Sequence, residues 1–161
     1  MNTEMLRGFG RFCGIALLVC AALVAMASWA DGLSVQAQYA GTKSDTLKLG
    51  LYTEGAEVVA VVNMVTPANQ RISIAFNKSE FAQFIGLVQK AAQMHSDQWQ
   101  VAGSYTETQT KSPSHIIVYG GPGVQLSLTD PSIGAWSLTL QAGDVAGVLT
   151  VLGQMGERVT E

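Results

Sequence analysis

The chain has 161 residues, 48% of them hydrophobic and 13% charged, with a formal net charge of −3 at pH 7. That length is enough for one core of ordinary size. No basic run occurs, which argues against a protein that neutralises the phosphates of nucleic acid or docks on an anionic membrane surface.

Residues 1–30 read as a targeting segment. Arg7 and Arg11 supply a basic start, the apolar run CGIALLVCAALVAMA spans Cys13–Ala27, and small residues follow. Cleavage after Ala27 or Ala30 fits this pattern, and the second leaves a polar start at Asp31-Gly32. The alternative is a retained anchor, because the uncharged stretch from Phe12 to Ala30 approaches the roughly 20 residues that span a bilayer as a helix. A lipoprotein signal fits less well, since Cys20 follows Val19 where a small residue is usual. The expectation is a periplasmic or secreted protein whose membrane contact is limited to an uncleaved leader. Both cysteines, Cys13 and Cys20, lie within the leader, so the mature chain would carry neither disulfide nor thiolate chemistry. Without the leader, seven Lys/Arg stand against eleven Asp/Glu, a net charge of −4, and the cations are scattered.

Residues 31–161 read as one α+β domain. LSVQAQYA (Leu33–Ala40) alternates as a strand, and TLKLGLYT (Thr46–Thr53) alternates again through Leu47, Leu49 and Leu51. EGAE (Glu54–Glu57) offers the glycine of a tight hairpin. VVAVVNMV (Val58–Val65) is apolar on successive residues, as in a strand covered on both faces. RISIAF (Arg71–Phe76) follows the TPANQ break. A helix then starts at NKSEFAQF, with Asn77 or Ser79 to accept from free N–H groups and Glu80 to complement the dipole. Its apolar stripe is Phe81, Phe84, Ile85, Val88 and Ala92; Glu80, Gln83 and Lys90 are expected to face away, and the helix to end near Met94-His95.

The order then recurs. Strands are expected at Trp99–Thr108, His115–Tyr119, Val124–Leu128 and Ala135–Leu140, with GGPG (Gly120–Gly123) as a hairpin between the second and third. A helix follows from Gly143 to about Met155, with the stripe Val145, Val148, Leu149, Leu152 and Met155. Register tests the repeat. An offset of 64 pairs Ile72 with Trp136, Glu80 with Asp144 and Phe81 with Val145, and 17 of 19 consecutive pairs agree in being apolar or not. An offset of 66 pairs Val35 with Val101, Tyr39 with Tyr105 and Leu51 with Ile117, so a two-residue difference is expected in the hairpin. The domain therefore reads as two tandem ββββα units, about 33–95 and 99–157, forming one pseudo-symmetric domain of antiparallel sheets with one helix each. A lone unit would bury little and leave sheet edges open; two can cover each other.

Two ββββα units, with a helix entered through ISIAFNKSEFAQFIGLV, resemble the Whirly and Pur-alpha-type single-stranded nucleic-acid-binding folds. The resemblance implies the fold over the whole mature chain. Those families carry basic and aromatic residues on the sheet, whereas Tyr39, Tyr52, Tyr105 and Tyr119 have few basic neighbours here, and fold alone does not set function.

No catalytic, cofactor or metal set emerges. His95 sits at a helix end and suits structural or solvated use. His115 stands near Ser112 and Ser114, but a Ser-His-acid site needs a strained nucleophile turn and no G-x-S-x-G occurs. Asp130 is isolated and Glu54/Glu57 flank a turn, so all three read as solvated rather than as metal ligands. GGPG joins two strands, whereas a phosphate cradle opens onto a helix. Trp99, Trp136 and the tyrosines either fill the core or line a sheet surface for a peptide, glycan or lipid. Val151 beside the second stripe, with Gly147 and Gly153, suits a helix that is well buried or docked on a partner. The sequence thus leads to an exported, non-enzymatic binding or interaction domain for a protein, peptide or small ligand, with homo-oligomerisation open. Single-stranded nucleic-acid binding comes second, and a small hydrolase using His115 third.

Overall fold

The computed structural model describes residues 32–108 and 113–160. The expected leader, both cysteines and Ser112 lie outside these. Among the described residues eight strands and two helices are placed in chain order as β1 (Leu33–Ala40), β2 (Thr46–Glu54), β3 (Glu57–Val65), β4 (Arg71–Phe76), α1 (Lys78–Ala92), β5 (Gln100–Thr106), β6 (His115–Gly120), β7 (Val124–Asp130), β8 (Gly134–Thr139) and α2 (Val145–Gly156). The strands form two four-stranded sheets, β1-β2-β3-β4 and β5-β6-β7-β8. The β2–β3, β3–β4, β5–β6, β6–β7 and β7–β8 pairings are antiparallel, as short hairpin connections require. The fold class is α+β, with two sheets each followed by a helix.

Alternation decides which face of each sheet is inward. Leu47, Leu49 and Leu51 of β2, Ile72, Ile74 and Phe76 of β4, and Leu126 and Leu128 of β7 are buried, while their chain neighbours point outward. β3 is buried on consecutive residues from Ala60 to Met64, as its unbroken apolar run requires. On its outer side Asn63 is satisfied by the Ser73 hydroxyl of β4.

α1 starts where its capping residues dictate. Asn77 Oδ1 accepts from the Glu80 N–H at 2.9 Å and Glu80 Oε2 accepts from the Asn77 N–H at 3.0 Å, a reciprocal capping box. Two residues expected to face away do not. Glu80 is buried, and Lys90, although exposed, donates from Nζ to the Ala102 carbonyl of β5 at 2.9 Å. That carbonyl is available because β5 carries an irregularity between Val101 and Gly103 that takes Ala102 out of the β5–β6 register.

The halves are interleaved. α1 follows β4 in sequence but packs on β5 and β6, and α2 reaches back to β2. Close approach explains two glycines: a Cβ on Gly103 would lie 2.4 Å from Leu87 Cδ2, and one on Gly120 would lie 2.5 Å from the Ala91 carbonyl oxygen. Beyond α2 the tail returns to the first sheet, where the Thr160 N–H donates to the Val58 carbonyl and the Val58 N–H donates to Thr160 Oγ1. At the opposite seam the β1–β2 turn meets β8 through the Gly41–Leu140 bridge, and Trp136 Nε1 donates to the buried Asp45 at 3.2 Å. Phe76, Phe81, Phe84 and Tyr105 form an aromatic cluster joining α1 to both sheets, with Phe76–Tyr105 centroids 4.8 Å apart.

The registers test the repeat residue by residue. β3/β7 and β4/β8 keep the offset of 64, since the Met64–Ile72 and Leu128–Trp136 pairs coincide. The helix ends keep it too: Met94 N–H donates to the Ala91 carbonyl, and Arg158 N–H to that of Met155. In β2/β6 the expected pairing fails. Leu51 is buried but Ile117 faces outward; the inward partners of Leu47, Leu49 and Leu51 are Ile116, Val118 and Gly120, an offset of 69. The GGPG hairpin is therefore shorter by five residues, not two, because three residues rather than eight separate its last matched pair.

Candidate ligand-binding cleft

Around His115 the side chains are engaged in structural bonds. His115 Nδ1 lies 2.7 Å from Thr106 Oγ1 on the adjacent strand. The buried Ser114 hydroxyl donates to Asp130 Oδ2 at 3.1 Å, so it is directed at a carboxylate and not at the imidazole. Asp130, expected to be solvated, is a turn cap. Its other oxygen accepts from the Ser132 hydroxyl and from the Ser132 and Ile133 N–H groups. Chiefly the Ser132 hydroxyl, against a smaller opposing effect of burial, holds its carboxyl below the usual value. Among the described residues no group of three His, Cys, Asp or Glu is placed to hold a metal ion.

Glu80 and Tyr105 form a second polar cluster, at the start of α1. Thr108 Oγ1 donates to Glu80 Oε1 at 2.6 Å, while Oε2 serves the capping box. Burial pushes the Glu80 pKa up, but hydrogen bonds from the Thr108 hydroxyl and the Asn77 N–H, with the Tyr105 hydroxyl nearby, outweigh it and the net shift is downward. The Tyr105 hydroxyl is buried without closing a hydrogen bond of normal geometry; burial first, then the Glu80 carboxylate, raises its pKa. The repeat reproduces this pairing. Tyr39, equivalent to Tyr105, packs against Gly147 near the start of α2, and burial together with the charge of Asp144, equivalent to Glu80, raises its pKa. Each half thus sends a tyrosine to the acidic residue that opens the other half's helix.

The aromatic residues divide between core and surface. Tyr105 is buried and Trp136 packs against the core; Tyr119, opposite Val101, stands on the outer face of the second sheet, and Trp99 is 40% exposed. That outer face carries Ser104 and Thr106 of β5, Gln125 and Ser127 of β7 and Ser137 and Thr139 of β8, in register with His115, Ile117 and Tyr119 of β6. No Lys or Arg occurs in β5–β8.

An open cleft of about 410 Å³ lies between three elements. The end of α1 contributes Ala92, Met94 and His95; the β6–β7 hairpin contributes Gly121, Pro122, Gly123 and Val124; the start of α2 contributes Ala142, Val145, Ala146 and Leu149. Its volume falls within the roughly 300–1,000 Å³ of small-molecule sites. His95 is the one ionisable side chain among these residues. The Trp99 ring reaches the hairpin wall, 3.9 Å from where a Gly123 Cβ would stand.

Why the hollow exists follows from the repeat. The equivalent place in the other half is filled. There Phe81 stands where the cleft has Val145, and Phe81 is completely buried. Val159 stands where the cleft has His95 and is 3% exposed, and the tail carrying it is tied to β3 through Thr160 and Val58. Gly156 packs against Ile85 and Phe81. In the cleft half the hairpin is shorter and the ring is replaced by a valine, and beyond His95 the chain packs on the hairpin at Gln98 and Trp99. Val145 and Leu149, expected on the apolar stripe of a helix that is well buried or docked on a partner, pack against the core but stay partly exposed, whereas Phe81, the counterpart of Val145, is completely buried.

The sequence brought His95, GGPG and the α2 stripe into view separately, as a helix end, a turn and a core face. Nothing in their spacing joined them. The available signal was the volume difference between paired positions, Phe81 against Val145, together with the shortened hairpin.

No family model matches the chain, and no curated protein matches it in sequence.

Proposed function

We propose that this chain is an exported, non-enzymatic binding domain that takes its ligand in the cleft between α1, the β6–β7 hairpin and α2. The observation that carries this reading is the contrast between the open cleft and its filled counterpart. A fold that closes one of two equivalent sites with its own Phe81 and Val159 leaves the other with a partly exposed Val145 and with His95 on its wall. Apolar walls with one polar group are the usual make-up of a small-molecule site. Export rests on the basic-apolar-small pattern of residues 1–30. Intact-mass measurement of native protein is expected to show a chain beginning at Asp31.

Native mass spectrometry tests the binding reading. The mature protein is incubated with the small-molecule extract of the cell envelope, beside an Ala146→Trp variant. Ala146 is exposed on the cleft wall, so the indole fills the hollow without disturbing the core. A compound retained by the wild type and lost from the variant is expected; identical spectra would defeat the proposal.

Tandem ββββα topology also favours a second reading, single-stranded nucleic-acid binding. Fluorescence anisotropy of a labelled oligothymidylate decides it, because phosphate contacts produce a steep salt dependence. No binding at low ionic strength removes it.

A further inference from the structure

We infer that the cleft selects a small aromatic monocarboxylate, its ring against Val145, Ala146 and Leu149 and its carboxylate at His95; this deepens the binding reading and rests on it. The aromatic half of the inference comes from the molecule's own solution to the same space. At the equivalent site the α1 position corresponding to Val145 carries the phenyl ring of Phe81, packed beneath the returning tail with Gly156 against it. Replacing that ring by valine removes about one ring's worth of apolar volume, and the shorter hairpin beside it does not restore it. An aromatic ligand restores that volume, and rings give the largest apolar gain on burial for little conformational entropy.

The acidic half comes from the other substitution. His95 occupies the place of the buried Val159, so the cleft has an imidazole where the filled site has a methyl-bearing wall. The cleft lining has no Asp, Glu, Lys or Arg beside it, so the imidazole is the only side chain of the lining able to read a charged head group. Histidine donates N–H to a carboxylate in either of its protonation states. Gly123 keeps the hairpin wall low: a Cβ there would meet nothing nearer than 3.9 Å, so the fold does not itself demand glycine at this position.

Isothermal titration calorimetry on the mature protein tests the inference with 2-naphthoate and its neutral counterpart 2-naphthalenemethanol. The expected result is saturable one-to-one binding with naphthoate favoured roughly tenfold, the scale of one charge-assisted hydrogen bond. His95→Leu, which removes the donor, is expected to abolish the preference while keeping the binding of the alcohol, and Ala146→Trp to abolish binding of both. Gly123→Val provides a second filling variant should the first not fold. Equal affinity for the two probes, or a preference that survives His95→Leu, overturns the inference and leaves the binding site standing. Absence of binding by both probes, or binding unaffected by the filling variants, overturns the inference and counts against the cleft itself.

Discussion

The two helices provide an internally controlled experiment. Glu80 and Asp144 occupy equivalent positions, yet only Glu80 is 8% exposed and bonded on both oxygens, whereas Asp144 makes no side-chain cap bond. Glu80→Ala would strip the Asn77 N–H and the Thr108 hydroxyl of a charged acceptor in a buried setting. Hydrogen bonds to a charged group are worth roughly 1.5–3 kcal/mol and a lost cap about 1 kcal/mol, so a net cost of about 2–4 kcal/mol is expected. Asp144→Ala loses only the helix-dipole interaction, about 0.5 kcal/mol. Urea unfolding followed by circular dichroism reads both; with a slope of roughly 1–3 kcal/mol per molar, the Glu80→Ala midpoint should fall by about 1–2 M and that of Asp144→Ala by a few tenths. The pH dependence has a defined sign. Because folding lowers the Glu80 pKa from 4.5, its contribution is fully present above that ordinary value and lost as pH falls through the lower folded value. The gap between wild type and Glu80→Ala should therefore narrow between pH 7 and pH 2.5. Equal costs for the two variants, or a gap that stays constant with pH, would refute the assignment of the cap network.

Other variants address the packing directly. Gly86→Ala, in the interior of α1 with nothing within 4 Å of the added carbon, is expected to raise stability by about 0.5–1 kcal/mol in the same urea assay. Gly120→Ala is expected to do the opposite by 1–3 kcal/mol, since its Cβ meets backbone at the end of α1, and melting temperatures should order the two variants accordingly. Tyr105→Phe removes a buried hydroxyl that lacks a hydrogen bond of normal geometry and should be neutral or stabilising near pH 7. Since folding raises the Tyr105 pKa above 10.0, the wild type also loses stability as pH rises past that value, and a loss that is smaller in Tyr105→Phe over the same alkaline range is the expected signature.

How much was legible beforehand follows from what periodicity records. Strand alternation and the three- and four-residue steps of the helices fixed ten elements to within about two residues, because each pattern states which side of a local element is buried. The equivalences Tyr39/Tyr105 and Glu80/Asp144 were likewise readable, and they meet as reciprocal pairs in space. Leu51/Ile117 was misread because a hairpin can gain or lose residues without disturbing either strand's alternation; only the ladder through Ala60 and Phe76 fixes which residue of β6 faces inward. Glu80 and Lys90 were assigned to solvent from α1 alone, since a single helix does not state that the second sheet lies over that face.

The amino-acid sequence by itself determined the element order, the duplicated unit and the inward faces, all of which arise from local geometry and the exclusion of apolar side chains from water. Tertiary structure decided that the helices cross between halves, that Asp130 and Glu80 are consumed by caps, and that one of two equivalent spaces stays open. The physical reason is that a hollow is a difference between volumes contributed by distant segments. Phe81, Val159 and a long hairpin close one space; Val145, His95 and a short hairpin leave the other, and no single segment contains that comparison.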